Sequence, residues 1–296
     1  MPRTLYAPAN RCIYCGEESY ASDSNRYLAE EHIIPFALNG DLVLPRASCR
    51  RCERVTCQVE AKMLKGTFLP CRTLMRLDTR RPMDRPKALP LFDSSVDPPR
   101  KVMVDMGDYP SILVMPRFDA PTIVPPDPKA ELWFCFLGGD ISLLTKKYRL
   151  ARWSPAILHR PAYLRFLAKI AHAFATAELG LGSFEPLLLD CILGASLSNG
   201  SPLIGGCLDK APGDPSCLHW LRVEPYAFGG DHYVAVRMRL FAGIDEAPEY
   251  LIVAGRVRAP IQQTASKQVL NTKNIKVAPA AFIGGPVSIS IYGRRD

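Results

Sequence analysis

Hydrophobic positions in the second half of the chain repeat with the period of an α-helix. In the segment "AYLRFLAKIAHAFATAELG", apolar side chains recur at Leu164, Leu167, Ala171 and Phe174, and the segment ends at Gly180. Spacings of three and four residues place these side chains on one helix face, and glycine often follows the last helical residue. We therefore predict a largely buried helix that ends at Gly180.

Alternating apolar positions predict a β-hairpin further along the chain. In "DHYVAVRMRLF", the side chains of Val234, Val236, Met238 and Leu240 lie on one side of an extended strand. The segment "YLIVAG" follows after the turn-like sequence "GIDEAP", so we expect the two segments to pair antiparallel. Between these patterns, "SFEPLLLDCILG" predicts a second, short helix that begins at Ser183.

The patterns divide the chain into three zones. Residues 1–80 contain four regularly spaced cysteines and many basic residues. Residues 81–128 contain 11 prolines, which interrupt backbone hydrogen bonding, so we predict a connector with short strands at "KVMVDM" and "SILVM". Residues 129–296 combine the helix and strand patterns described above. The sequence therefore predicts an α+β fold, with a small N-terminal domain followed by a larger mixed α+β C-terminal domain.

The composition is that expected of a water-soluble globular protein. The 296 residues are 48% hydrophobic, and the mean hydropathy is zero. No uninterrupted run of about 18 apolar residues occurs, so no membrane span is expected. The first residues, "MPRTLYAPANRC", lack the apolar core of a secretion signal, so we expect a cytoplasmic location.

The positive charge of the chain is concentrated in one segment. The net charge is +8, and the segment from Arg46 to Lys87 holds 12 Lys and Arg against 4 Asp and Glu. The rest of the chain is therefore neutral overall. A basic segment of this kind favours a polyanionic partner, most simply nucleic acid, and the alternative is a solvated basic face without a partner.

Two pairs of cysteines have the spacing of a tetrahedral zinc site. "CIYC" supplies Cys12 and Cys15, and after 33 intervening residues "CRRC" supplies Cys49 and Cys52. Each pair offers two thiolates from one tight turn, and two pairs complete a four-sulfur structural zinc site. The second pair begins a segment rich in helix-forming residues that ends at Gly66, so zinc would join this helix to the first pair. The alternative is a set of four buried free thiols. Six further cysteines lack such pairing, and we expect them to pack in the core: Cys57, Cys71, Cys135, Cys191, Cys207 and Cys217.

An acid and a histidine, Glu31 and His32, lie between the two cysteine pairs in the segment "EHIIP". The order of CxxC, "EHIIP", the turn "LNGD" and a CxxC that begins a helix resembles the HNH endonuclease family, in the four-cysteine form of the ββα-metal fold. The resemblance covers about residues 11–66. The remaining histidines match no such pattern, and we expect structural or surface positions for them: His159, His172, His219 and His232.

This resemblance implies a metal-dependent endonuclease that hydrolyses phosphodiester bonds of nucleic acid, with DNA as the expected substrate. Carried over residue by residue, it implies that His32 is the general base and that Glu31 and Glu53 bind a catalytic Mg²⁺ or Mn²⁺. A neutral imidazole can take a proton from water near pH 7, and oxygen ligands suit a hard divalent ion. Neighbouring strand residues point to opposite faces, so Glu31 and His32 can serve one site only if the strand ends or bulges at this pair.

The predicted helix after the second cysteine pair carries Arg50, Arg51, Arg54 and Lys62. Beside a nuclease site, these side chains would contact phosphates and contribute affinity with little sequence preference. The alternative is a solvated face of the helix. Glu60 lies on the same helix and is either a further metal ligand or a surface acid that balances a basic neighbour.

Two other functions fit the same residues. One is a zinc-stabilised nucleic-acid-binding module without cleavage activity, and the other is a zinc-scaffolded protein interface. Mg²⁺-dependent cleavage separates the nuclease from the binding module, and salt-dependent DNA binding separates both from the protein interface. Residues 129–296 carry no motif with recognisable chemistry, and we assign them target recognition, ligand sensing or formation of a homodimer as candidate roles.

Overall fold

The computed structural model describes residues 3–22, 25–79, 82–155, 158–198, 200–207, 216–257 and 269–271. This part of the chain is a mixed α+β protein with several small sheets and five α-helices, as the sequence predicted. No helix within the described ranges is both long and apolar enough to cross a membrane.

The first sheet has three strands, and its middle strand leads directly into the first helix. The strands are β1 (Thr4–Leu5), β2 (Ala29–His32) and β3 (Leu42–Ser48), in the order β1-β3-β2. β3 pairs parallel with β1 and antiparallel with β2. A 3-10 turn at Phe36–Leu38 joins β2 to β3, and α1 (Arg50–Lys65) begins two residues after β3 ends.

α1 has the amphipathic pattern of a helix packed on a core. Its buried residues are Cys52, Thr56, Val59 and Met63, at spacings of three and four residues that share one face. The helix ends where the sequence predicted, because Gly66 follows Lys65 and donates its backbone N–H to Lys62 O. The opposite face is exposed and carries most of the basic residues of the helix.

The middle of the chain forms two small sheets. Its elements are α2 (Leu69–Leu74), β4 (Ala88–Asp93), β5 (Arg100–Asp105), β6 (Ser111–Phe118), β7 (Ala130–Gly138), α3 (Ser142–Lys146) and β8 (Trp153–Ser154). One sheet has the order β5-β4-β8, and β6 pairs antiparallel with β7 in the other. The strands predicted at "KVMVDM" and "SILVM" are β5 and β6, so both are confirmed. β4, β5 and α3 also enclose a second, smaller hydrophobic cluster that includes Leu89, Leu91, Val104 and Leu144.

The last part of the described chain consists of one long helix, one short helix and a six-stranded sheet. Its elements are α4 (Arg160–Leu179), β9 (Phe184–Pro186), α5 (Leu189–Leu193), β10 (Ile204–Gly206), β11 (His219–Phe228), β12 (Asp231–Leu240), β13 (Glu249–Val257) and β14 (Val269–Asn271). The sheet order is β10-β13-β12-β11-β14, with β9 paired to β13 as well. The predicted helix ending at Gly180 is α4, and the predicted hairpin is β12 with β13, so both are confirmed.

The helix predicted from Ser183 is wrong in its first half. Phe184–Pro186 forms the edge strand β9, and helix α5 begins only at Leu189. Proline lacks a backbone N–H donor, which suits an edge strand better than a helix interior. The aromatic ring of Phe184 also lies over Gly255 on β13, where an added Cβ would come within 2.3 Å of the ring. Close packing against this glycine therefore favours the strand.

One hydrophobic core connects the N-terminal zone to the C-terminal sheet. Phe68 is fully buried, and its ring lies 6.0 Å from the Tyr163 ring and 5.8 Å from the rings of Phe166 and Phe241. The same cluster of buried residues includes the first cysteine pair, α1, α4 and the strands β11 to β13. The first 80 residues therefore share their core with α4 and the large sheet.

Candidate functional site

The four cysteines predicted to bind zinc come together in space. The Sγ atoms of Cys12, Cys15, Cys49 and Cys52 all lie within 4.8 Å of one another, and those of Cys15 and Cys49 are 3.6 Å apart. A tetrahedral zinc with Zn–S bonds of about 2.3 Å places its sulfur atoms about 3.8 Å apart. A disulfide would need a separation of about 2 Å, and none of these cysteines is in a disulfide. The cluster is therefore compatible with a structural zinc ion.

Tight turns of the backbone bring the cysteine pairs into this arrangement. The Gly16 N–H donates to Cys12 O at 2.8 Å, and Gly16 adopts a φ of +83° that favours glycine at this turn. The Ile13 N–H donates to Ala47 O on β3, which fixes the first pair against the sheet. Cys49 is the N-cap residue of α1, so the second pair begins the helix as predicted.

The environment of the cluster favours a thiolate at Cys12, whereas burial raises the pKa of Cys49 and the hydrogen bond to Cys12 raises that of Cys52. A hydrogen bond from Cys52 is the main cause that lowers the pKa of Cys12 to about 4. The Arg51 guanidinium lies against the thiol of Cys15, a contact that raises the pKa of Arg51. Since zinc binds the deprotonated form of cysteine, the thiolate at Cys12 and the cation beside Cys15 suit the metal.

His32 is the last residue of β2, and one nitrogen of its ring has no partner in the described part of the chain. Only 15% of the side chain is exposed, and Nδ1 has no hydrogen-bond partner among the described residues. Nε2 lies 3.3 Å from Oε1 of Glu30, and the ring packs edge-on against Phe36. Burial is the main cause that lowers the pKa of His32, so the imidazole is neutral near pH 7.

Glu30 is a residue that the sequence analysis missed. Its carboxylate contacts two basic groups: the His32 ring and the guanidinium of Arg3, with which it forms an ion pair at 3.0 Å. In β2 the side chains of Glu30 and His32 are two residues apart and therefore share one face of the strand. The sequence has two acids, "EE", directly before His32. Because side chains alternate between the two faces of a strand, the first of these acids, Glu30, is the one that shares a face with His32.

Glu31 faces the other way and binds a buried lysine. Its carboxylate lies 2.6 Å from the ammonium of Lys169 on α4, and the Glu60 carboxylate on α1 lies 2.8 Å from the same ammonium. β2 ends at His32, which was one of the two conditions under which Glu31 and His32 could serve one site. The β-bulge, however, lies between Ala29 and Glu31, one position before this pair. Consecutive side chains therefore leave opposite faces of β2, and Glu31 does not share a face with His32. Glu60 was expected to be a metal ligand or a surface acid with a basic neighbour, and instead it pairs with Lys169.

Glu53 has a separate partner at the start of α1. Its Oε2 accepts a hydrogen bond from the Tyr20 hydroxyl at 2.8 Å. Within the part of the chain that the structure describes, the four cysteines are the only group of three or more His, Cys, Asp or Glu close enough to hold a metal ion. The residues present therefore do not fit the Mg²⁺ or Mn²⁺ expected between Glu31 and Glu53, because Glu31 faces the core and pairs with Lys169.

The basic residues of α1 form one exposed surface. Arg50, Arg51, Arg54 and Lys62 are all exposed, and at 3.6 residues per turn they fall within a sector of about 120°. We call these four residues the basic face. Two further arginines that the sequence analysis did not select stack on tyrosines, with Arg26 lying 4.5 Å from the Tyr20 ring and Arg46 lying 4.2 Å from the Tyr27 ring.

Most of the other cysteines and histidines have the positions expected of them. The expectation of core packing is right for the buried cysteines Cys71, Cys191 and Cys217, it holds only in part for Cys135 and Cys207, and it is wrong for Cys57, which is exposed on α1. His172 and His219 are buried and hydrogen-bond to the carbonyls of Ile13 and Leu38, whereas His159 and His232 are exposed.

Lys169 is the functional candidate that the sequence analysis overlooked. Its signal was a lysine inside the apolar run "FLAKIAHAF" of a helix predicted to be buried. Charged residues are almost never fully buried unless they are paired, so this lysine had to have a carboxylate partner.

No protein-family model matches the chain, and no curated protein or solved structure matches it.

Proposed function

We propose that this protein is a zinc-stabilised HNH-type endonuclease, with DNA as the expected substrate and His32 as the general base. The observation that carries the proposal is the His32 imidazole at the end of β2, with Nδ1 lacking a hydrogen-bond partner among the described residues and Nε2 beside the Glu30 carboxylate. Buried polar atoms are rarely left unsatisfied, and an exception often has a catalytic role or holds an ordered water.

The surroundings of His32 suit the uptake of a proton from water. The neutral ring can accept a proton near pH 7, because burial lowers its pKa. The Glu30 carboxylate lies beside Nε2 and favours a proton on that nitrogen, which leaves Nδ1 as the proton acceptor of the neutral ring. Glu30 also stabilises the imidazolium that results, since an adjacent negative charge favours the charged ring.

The basic face gives the phosphodiester backbone a place to bind. Its four cationic side chains are exposed on one side of α1, and the same helix begins at the zinc cluster. Cationic side chains bind phosphates through charge, and in this proposal they hold the bond to be cleaved near His32 at the end of β2.

The divalent ion expected from the family resemblance has no place in these steps. An ion can reach the Glu31 carboxylate only by displacing Lys169, whose ammonium is 2.6 Å away. In this proposal the chain's own residues therefore supply proton transfer at His32 and phosphate binding by cationic side chains.

Cleavage of supercoiled plasmid by the zinc-loaded protein tests the proposal. His32→Ala should lower the cleavage rate by about 100-fold or more, as expected for loss of a general base. The matched control is His232→Ala, because His232 is an exposed histidine on β12 and should leave the rate unchanged. Reactions with and without added Mg²⁺ or Mn²⁺ report whether an ion is also required. Equal rates for the wild type and His32→Ala would refute the role of His32.

A second function, nucleic-acid binding without cleavage, is favoured by the Glu31–Lys169 ion pair. This pair occupies the carboxylate that the resemblance assigns to the catalytic ion. The two proposals are separated by one comparison. Salt-dependent DNA binding with no cleavage under any divalent ion supports the binding module, and cleavage lost in His32→Ala supports the nuclease.

A further inference from the structure

The ring of Tyr27 has an open face beside a guanidinium. Tyr27 is 71% exposed, and the guanidinium carbon of Arg46 on β3 lies 4.2 Å from the centre of its ring. The guanidinium covers one face of the ring, so the high exposure leaves the other face open to solvent. A flat ligand can therefore lie on Tyr27 with the cation on the far side of the ring.

The other aromatic rings that contact cations within the described ranges lack such a face. Trp133 and Tyr233 also lie beside arginines, but they are only 7% and 3% exposed. Tyr20 and Tyr148, which lie beside an arginine and a lysine, are half-buried. Tyr27 is therefore the member of this group that a ligand can reach most fully.

The backbone holds Arg46 in place over this ring. Arg46 has a φ of +49°, which is uncommon for a residue other than glycine. The carbonyls on either side of it, those of Pro45 and Ala47, accept backbone hydrogen bonds from the N-terminal segment at 3.0 and 2.9 Å. The guanidinium also donates to Oδ1 of Asn10 at 3.3 Å. A costly backbone conformation that is held from several sides is typical of residues with a functional role.

The strand pairing also directs Arg46 outwards. β2 advances two residues from Ala29 to Glu31, whereas β3 advances four residues over the same stretch. Arg46 is one of the extra residues of this bulge and is exposed. Bulges commonly change the direction of a side chain beside a functional site.

An exposed aromatic face with a fixed cation suits an unpaired nucleobase. Every base has a flat face that can stack on tyrosine, and an arginine beside the ring can contact the neighbouring phosphate. The bases of a duplex already stack on each other, so their faces are accessible only when a base leaves the stack. Tyr27 lies five residues before His32. At about 3.3 Å per residue their backbones are within roughly 17 Å, the length of about five nucleotides of a stacked strand.

We propose that Tyr27 and Arg46 form a stacking site for an unpaired base, so that the DNA bound near His32 is single-stranded or locally unpaired. This stacking site rests on the proposed function for the choice of DNA as the ligand. It adds the form of DNA that the protein binds, and it does not require cleavage.

Fluorescence anisotropy of the full-length, zinc-loaded protein with two labelled strands of about 15 nucleotides tests this proposal. One strand is oligo(dT), and the other has the same number of phosphates but abasic sites in place of the bases. The wild type should bind oligo(dT) about tenfold more tightly than the abasic strand. Tyr27→Leu should remove most of this difference and leave binding of the abasic strand unchanged. Arg46→Gln should weaken binding of both strands, because it removes a positive charge.

Phe228→Leu is the matched control. Phe228 is an aromatic residue on β11 that is 39% exposed, and its replacement should keep the tenfold difference. The zinc content and the Tm of Tyr27→Leu should equal those of the wild type, because the side chain that is changed is exposed.

The outcomes separate this proposal from the nuclease function. Equal binding of both strands by the wild type, or a full tenfold difference in Tyr27→Leu, would overturn the stacking site. Cleavage that is lost in His32→Ala would still support the nuclease in either case. Stacking on Tyr27 without any cleavage would refute the nuclease and leave the stacking site supported. A wild type that binds neither strand would overturn both.

Discussion

The imidazole of His219 donates a hydrogen bond from Nε2 to the backbone carbonyl of Leu38 at 2.8 Å. Its Nδ1 accepts a hydrogen bond from the Phe241 N–H at 3.2 Å, which fixes the tautomer with the proton on Nε2. His219 lies on β11, and Leu38 belongs to the turn that follows the "EHIIP" segment. A neutral histidine from the large sheet therefore holds the turn beside His32 in place.

This contact predicts a loss of stability in mild acid. Burial lowers the pKa of His219 to about 4, whereas an unfolded histidine has a pKa of about 6.5. The unfolded chain takes up a proton more readily, so the free energy of unfolding should fall as the pH drops from about 6.5 to about 4, by roughly 3 kcal/mol from this residue. Urea unfolding at a series of pH values, compared between the wild type and His219→Gln, isolates the contribution of His219 from that of the zinc ligands. Parallel pH profiles for the two proteins would contradict the prediction.

Loss of one zinc ligand should destabilise more than the first 80 residues. Elemental analysis should find one zinc per chain in the wild type and almost none in Cys49→Ser. Because the cysteine cluster borders the core shared with α4 and the large sheet, the variant should lose about 4 kcal/mol or more of unfolding free energy in one transition. Cys57→Ser is the control, since Cys57 is exposed on the same helix and should keep both zinc and stability. A zinc-free wild type would rule out the metal site.

Removal of charge from the basic face should weaken DNA binding in a salt-dependent way. Replacing Arg50, Arg54 and Lys62 with Gln should lower the slope of log affinity against log salt by about one unit for each lost phosphate contact. The control replaces three exposed lysines on other parts of the surface, Lys101, Lys129 and Lys146, with the same change in net charge. Binding that depends only on net charge would decrease equally in both variants, and the basic face would then have no specific role.

The ring of Phe68 should be essential for both halves of the protein. Phe68→Ala removes a fully buried ring that contacts Tyr163, Phe166 and Phe241, so it should lower the unfolding free energy by about 3–5 kcal/mol. Calorimetry should still show one transition, because the aromatic cluster joins the N-terminal zone to the large sheet. Met83→Ala, at a side chain that is 94% exposed, should change stability by less than about 0.5 kcal/mol. Two separate transitions in the wild type would show that the zones fold independently.

Local patterns in the sequence predicted the elements that depend on local interactions. The 3.6-residue period of α4, the alternation in β12, and Gly66 after α1 all correspond to the observed elements. The cysteine cluster was predictable because each CxxC pair constrains its own geometry. These features need no knowledge of distant contacts.

The partners of the charged residues could not be predicted in the same way. Nothing in the residues around Glu31 indicates that Lys169 will reach it, because the contact depends on how α4 packs across β2 and α1. The sequence showed a lysine in an apolar run, and therefore the need for a carboxylate, but not which one. The predicted direction of the Glu31 side chain was wrong for a local reason. A site shared by Glu31 and His32 needed a β-bulge at this pair, and the bulge lies one position earlier.

The Glu31–Lys169 contact also sets an order of events during synthesis of the protein. A ribosome adds roughly 5–20 residues per second, so about 7–30 s separate the appearance of Glu31 from that of Lys169. During this interval the carboxylates of Glu31 and Glu60 have no buried cation to meet, and they remain hydrated. The nascent N-terminal segment therefore completes the packing around His32 only after α4 has been made.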